Sequence, residues 1–163
     1  MSSRLRPLPL QELRLQPEGR TWQVDQSIDG LASLTPVRGQ LHARHHGSAL
    51  EVDGRAETIL TLCCDRCLQN YNHSLAATAR ELIEIGGAEP EEEEVVFASA
   101  DPVERLDPGS SFDPERWLYE QLSLQLPPVN RCGADCPGPP LPRQDGSDDR
   151  NGDPRWAALR TLR

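Results

Sequence analysis

The chain has 163 residues, a length that favours a single domain over residues 1–163. Its net charge of −9 and pI of about 4.9 argue against a generic nucleic-acid binder, because such binding needs clustered positive charge. Only 36% of the residues are hydrophobic and 4% are aromatic, so the core is modest and a metal site would add useful stability. No apolar run reaches the roughly 18 residues of a membrane-spanning helix, so no membrane partner is expected.

The charge is unevenly distributed. Residues 1–80 contain nine arginines and eight acidic residues, whereas residues 81–163 contain eight arginines and eighteen acidic residues, giving net charges of +1 and −10. Every basic residue is an arginine, which reflects either the codon bias of a GC-rich genome or a need for the planar guanidinium in phosphate or carboxylate recognition. Any RNA contact would therefore use a local arginine patch in the first half.

The cysteines point to a reducing compartment. The N-terminus lacks the apolar stretch and the small-residue cleavage site of a signal peptide. Five cysteines, an odd number, do not form a complete disulfide framework. We therefore expect a cytoplasmic protein whose thiols are available to a metal.

The N-terminal third is expected to be mostly β-structure after a loose start. Residues 1–20 mix leucine, arginine and proline and predict a loosely packed segment, either a short docking helix or an edge strand. Residues 37–53 predict two short strands separated by a turn at His46-Gly47-Ser48.

The clearest strand is Ala56–Leu62, which leads directly into Cys63 and Cys64. Apolar and polar residues then alternate from Tyr71 to Ala79 and predict a returning strand, so that the cysteine knuckle lies at the tip of a hairpin. Helix formers at residues 75–85 leave a helix as the alternative there.

The second half predicts helices and loops. Residues 88–94 form an acidic loop, and a short strand follows at residues 95–98. Asp113-Pro114 predicts the start of a helix over residues 114–126, and Asp153-Pro154 that of a short C-terminal helix. Residues 137–152 predict a disordered or loose Pro/Gly/Asp linker. The fold class is therefore α+β, mainly an antiparallel β-sheet or a partly open barrel.

The cysteine spacing predicts a structural zinc site. Cys64 and Cys67 are separated by two residues, as in zinc knuckles, and Cys132 and Cys136 form a second pair in a proline-bounded loop. Four thiolates would close the coordination shell and tie the exit of the helix to the hairpin. Idle thiols and a redox dithiol remain as alternatives, although no helix begins at the first pair to activate it. Cys63 is expected to be a packed thiol on the opposite face.

Nothing in the sequence predicts catalysis. It contains no nucleophile motif, phosphate loop, paired-carboxylate signature or HExxH motif. The neighbouring histidines His45 and His46 are best interpreted as exposed turn residues, and His73 as a residue of the sheet. The protein is expected not to be an enzyme.

Several of these features together resemble the YceD-like family, the large ribosomal RNA subunit accumulation proteins of bacteria, cyanobacteria and plastids. The sequence LCCDRCL at residues 62–68 is similar to the family's C-x-R-C-L signature. The acidic loop, the helix at 114–126, the CGADC sequence at 132–136 and the DPRWAAL sequence at 153–159 follow in the family's order. The resemblance covers roughly residues 20–163.

The resemblance implies a role in 23S ribosomal RNA accumulation or in large-subunit assembly. It also implies that the four paired cysteines are zinc ligands, namely Cys64, Cys67, Cys132 and Cys136. Many relatives carry further cysteines after the second pair, whereas this chain has none after Cys136, so only one four-cysteine arrangement is open to it.

Two partners agree with this interpretation. One is ribosomal RNA or a large-subunit assembly intermediate, contacted by arginines near the knuckle; these are Arg38, Arg44, Arg55 and Arg66. The other is a basic ribosomal protein, held before assembly by the acidic half of the chain. A CxxC dithiol oxidoreductase is the more distant alternative.

Overall fold

The computed structural model describes residues 4–86 and 105–139. Its main element is an open, mixed sheet of five strands in the order β2-β3-β4-β5-β6, and a small two-stranded sheet joins β1 to β7. The strands are β1 (Leu8–Pro9), β2 (Arg20–Gln26), β3 (Val37–His46), β4 (Ala49–Cys63), β5 (Asn70–Ile85), β6 (Arg105–Leu106) and β7 (Ser111–Phe112). The helices are α1 (Leu10–Arg14) and α2 (Pro114–Ser123).

The sheet is largely antiparallel but is not closed into a barrel. Strands β2 to β5 pair antiparallel with their neighbours, whereas β6 pairs parallel with the end of β5. The expectation of a mainly β-structured protein is therefore confirmed, with the sheet open and mixed. No helix within the described ranges is long and apolar enough to span a bilayer.

The hairpin of β4 and β5 is longer than the sequence predicted. Residues 49–53 and 56–62 belong to one continuous strand, paired with β5 from Ala49↔Glu84 to Cys63↔Asn70. Gly54 does not break this strand, since it pairs with Leu41 on one side and Ala79 on the other. Its missing side chain leaves room for Trp117: a Cβ there would lie 2.8 Å from the indole ring. The helical alternative for residues 75–85 is wrong, since β5 continues to Ile85.

One face of the sheet is buried beneath α1, α2 and the N-terminal segment. Alternate residues along the strands point into one apolar cluster, with the helices covering it. The indole N–H of Trp117 in α2 donates to Glu81 of β5 at 2.7 Å, which fixes the helix on the sheet. The opposite face of the sheet is exposed and polar.

The N-terminal segment differs from the predicted loose packing over residues 4–20. Its leucines at positions 5, 8, 10 and 13 are buried in the core, and Leu13 is 0% exposed. Helix α1 packs against β3. One of the prolines that suggested an irregular segment, Pro9, instead ends β1 and caps the start of α1, so the segment forms part of the layer covering the sheet.

Helix α2 begins as predicted and ends three residues earlier than predicted. The Asp113 carboxylate accepts hydrogen bonds from the backbone N–H groups of Glu115 and Arg116, and Pro114 occupies the first helical position. Residues 124–126 continue as tighter turns. The acidic loop at 88–94, the strand at 95–98, most of the linker and the C-terminal helix lie outside the described residues.

Candidate metal centre

The structure brings the two cysteine pairs together at the tip of the β4–β5 hairpin. Cys64 and Cys67 lie in the connecting turn, and Cys132 and Cys136 lie in the loop that follows α2. All four Sγ atoms lie within 4.8 Å of one another. The Cys64–Cys136 sulfur distance is 3.8 Å, and the Cys67–Cys132 distance is 3.7 Å.

These distances fit a tetrahedral metal site. A zinc ion bound by sulfurs at about 2.3 Å requires sulfur–sulfur edges of about 3.8 Å, the length of a tetrahedral edge for that radius. Both cross-loop distances agree with this value. The four cysteines could therefore hold one metal ion, and a complete sulfur tetrahedron leaves no ligand position open to a substrate.

Backbone hydrogen bonds shape the first pair. The backbone N–H of Cys64 donates to the carbonyl of Gln69, and that of Leu68 donates to the carbonyl of Cys64, both at 2.9 Å. Leu68 adopts a positive φ of 62°, which turns the chain back into β5. This turn directs both thiols toward the same side of the hairpin tip, where Cys64 is 0% exposed and Cys67 is 8% exposed.

A second set of contacts holds the loop of Cys132 and Cys136 against this turn. The Asp65 backbone N–H donates to the Asn130 carbonyl at 2.9 Å, and the Asn130 N–H donates to the Asp65 carboxylate at 2.7 Å. The Arg66 guanidinium lies over Gly138, 3.7 Å from where a Cβ of that glycine would be. Sequence reasoning missed Asp65 and Asn130, because their pairing joins distant parts of the chain.

Hydrogen bonds and burial shift the pKa values of three of the clustered thiols in different directions. Backbone N–H groups of Cys67 and Arg66 stabilise the Cys64 thiolate and lower the pKa of Cys64 to about 6. Hydrogen bonding with Cys136, together with burial, raises the pKa of Cys132 to about 12. At Cys67 the Gln69 N–H favours the thiolate, but burial and the Cys64 thiol outweigh it and the pKa is raised. Of these three thiols, Cys64 is therefore the most acidic.

Metal uptake should consequently depend steeply on pH. At neutral pH a metal must displace at least the protons of Cys67 and Cys132, whose pKa values are raised. Each released proton contributes a factor of ten per pH unit, so we expect zinc affinity to rise at least about a hundredfold per unit between pH 6 and 8. Competition with a chelator of known pH dependence measures this slope, and a flat profile would contradict it.

Cys63 lies outside the cluster. It was predicted to be a packed thiol, but its side chain is exposed at the end of β4. Strand alternation explains the difference: Cys63 shares the polar outer face, whereas the chain turns at Cys64 and buries the next thiol. Its thiol is the natural control for experiments on the four others.

The arginines expected to contact RNA do not form one patch. Arg38, Arg44 and Arg55 lie on the exposed outer face of the sheet, where Arg38 and Arg44 have acidic cross-strand neighbours. Arg38, for example, lies 3.4 Å from Asp25. Arg66 lies at the hairpin tip, and the eight steps along β4 from Arg55 to Cys63 alone span about 26 Å at the rise of a strand. The predicted set is thus divided, and its outer-face members lie among charges of both signs.

The histidines take no part in the cysteine cluster. His42 contacts the Glu18 carbonyl at 3.0 Å and lies 3.4 Å from Asp53, and His46 contacts Glu51 at 2.9 Å. Burial lowers the pKa of His45, and the neighbouring Arg14 lowers it further. His45 and His46 are the last two residues of β3 and precede the turn, so the prediction that both are exposed turn residues is wrong: His46 is exposed, whereas His45 is partly buried.

The fold and the site together define a class: an open β-sheet domain whose central hairpin carries a four-cysteine cluster at its tip. The family model for the large ribosomal RNA subunit accumulation protein YceD matches residues 52–163. Since this is more than half of the chain, the protein belongs to the YceD family. Searches of curated proteins and of solved structures found no match. The family match begins within β4 and contains both cysteine pairs.

Proposed function

We propose that this protein is a non-catalytic cytoplasmic factor that supports accumulation of 23S ribosomal RNA and assembly of the large ribosomal subunit. The family match over residues 52–163 carries this proposal, because it covers the hairpin, α2 and all four clustered cysteines. The family's description names large ribosomal RNA subunit accumulation as its role.

Within this proposal the cysteine cluster binds zinc and has a structural role. Thiolate donors at tetrahedral spacing select zinc over harder cations, and a closed shell supports no reaction at the metal. The ion would join the loop after α2 to the hairpin, and so stabilise a surface made from two distant segments.

Redox chemistry is less well supported by the same geometry. Dithiol oxidoreductases place the first cysteine at a helix N-terminus, whereas Cys64 lies in a hairpin turn. Both cysteines of the CxxC pair also contact sulfurs of the second pair, at 3.8 Å and 3.7 Å. A substrate disulfide would have to displace these neighbours.

Depletion of the protein in its own host tests the function directly. We expect the ratio of 23S to 16S ribosomal RNA to fall, and wild-type protein to restore it. The ratio is measured by quantitative electrophoresis of total RNA, with an unrelated depletion strain of equal growth rate as control. An unchanged ratio after complete depletion would contradict the proposal.

A further inference from the structure

Three arginines line a groove between the N-terminal segment and the edge strand β2. Arg4 and Arg6 belong to the segment and Arg20 to the strand, and the groove that they line has a volume of about 450 Å³. Glu12 is the single carboxylate in the lining, which Pro7, Leu8 and Trp22 complete. We call this feature the arginine groove; it lies outside the residues matched by the family model.

The backbone that carries these arginines is anchored. Leu5 and Leu8 are buried in the core at 3% and 8% exposure, so the exposed residues between and beside them are held at the surface. The backbone N–H of Leu5 donates to the Gln26 side chain of β2 at 3.0 Å. A fixed backbone reduces the entropy that Arg4 and Arg6 lose when they bind an anion.

Arg20 is held by two partners of its own. Its guanidinium lies 5.7 Å from the centre of the Trp22 ring and 3.7 Å from the Glu12 carboxylate. Glu12 is therefore already occupied by one arginine. The groove keeps an excess of two positive charges, whereas the chain as a whole carries −9.

Arg4 and Arg6 differ from three of the arginines of the sheet. Arg38, Arg80 and Arg105 each form an ion pair with a carboxylate. Among residues 4–86 and 105–139, by contrast, no carboxylate forms an ion pair with Arg4 or Arg6. Within the described part of the chain, their guanidinium groups therefore have no ion-pair partner and can meet an external anion.

We propose that the arginine groove binds the phosphodiester backbone of RNA without reading its bases. Guanidinium groups match phosphate oxygens in geometry and charge. Trp22 is only 3% exposed, so it offers no ring on which a base can stack. The choice of RNA as the ligand rests on the proposed function, whereas the choice of the arginine groove as the binding site rests on its structure.

Binding of a fluorescently labelled single-stranded RNA of about 20 nucleotides tests this proposal. The full-length chain is titrated by anisotropy over a range of salt concentrations, together with the double variant Arg4→Glu/Arg6→Glu. We expect the affinity of the double variant at low salt to be at least tenfold lower than that of the wild-type chain. The plot of log affinity against log salt should become less steep by about 1.4, or 0.7 for each lost phosphate contact. RNAs of different sequence should bind the wild-type chain equally.

The matched control is Arg38→Glu/Arg55→Glu, which changes the net charge equally on the outer face of the sheet. We expect this control to bind within about threefold of wild type, with an unchanged salt slope. Equal losses in both double variants would overturn the proposal, as would wild-type affinity in Arg4→Glu/Arg6→Glu or no binding of RNA by the wild-type chain. The neutral variant Arg4→Ala/Arg6→Ala must show the same reduction of the slope.

The two proposals fail in different ways. If depletion lowers 23S RNA and Arg4→Glu/Arg6→Glu binds RNA normally, the groove proposal fails and the proposed function stands. If depletion leaves 23S RNA unchanged but the groove variants lose RNA binding, the groove binds RNA in some other role.

Discussion

Replacing Cys64 with serine is expected to abolish stoichiometric zinc binding and to lower the stability of the protein substantially. Cys64 is 0% exposed and lies 3.8 Å from Cys136, so its replacement removes a buried ligand whose pKa is lowered to about 6. Structural zinc contributes roughly 10–16 kcal/mol of apparent binding free energy in small peptides. We expect a loss of at least about 3 kcal/mol here, and a fall in Tm of about 6–12 °C.

The neighbouring thiol provides the control for this substitution. Cys63→Ser changes an exposed cysteine outside the cluster, so metal content should be retained and stability should change by less than about 0.5 kcal/mol. Thermal unfolding with and without chelator compares the two variants. If Cys64→Ser retains full metal content and wild-type Tm, the cluster does not have the structural role assigned to it.

Replacing Leu13 with alanine is the second change with a large expected effect. Leu13 is 0% exposed in α1, so truncation leaves a cavity in the core beneath the sheet. Such substitutions cost about 2–5 kcal/mol of unfolding free energy. Denaturant titration measures the loss and also tests whether the N-terminal segment belongs to the cooperative fold.

Leu15→Ala is the matched control, because Leu15 is 82% exposed two residues further along the same segment. Its effect should stay within about 0.5 kcal/mol. Equal, small effects of the two substitutions would show that residues 4–20 are not packed as the structure describes.

The sequence predicted the hairpin because its signals are local. Alternating apolar and polar residues on either side of the CxxC turn define two paired strands and place the turn at their tip. The four cysteines were also recognisable as candidate metal ligands, since two closely spaced cysteine pairs in a reducing compartment are typical of a metal site. Their convergence to within 4.8 Å required the fold.

The features that the sequence did not predict depend on distant partners. Gly54 lies within β4, and Trp117, more than sixty residues away, fills the space above the glycine. The buried leucines of the N-terminal segment have no single period, because β1 and α1 follow each other within seven residues. The four predicted arginines are split between the outer face of the sheet and the hairpin tip, and two of those on the outer face lie near acidic residues of neighbouring strands. Both facts depend on the strand register, which the composition does not show.

Measurement of metal content and coordination tests the central claim most directly. The account predicts one zinc ion per chain in protein purified without chelators, with four sulfur ligands at about 2.3 Å by X-ray absorption spectroscopy. Less than about half an equivalent of metal, with all five thiols titrating freely, would contradict a four-cysteine metal centre at the hairpin tip.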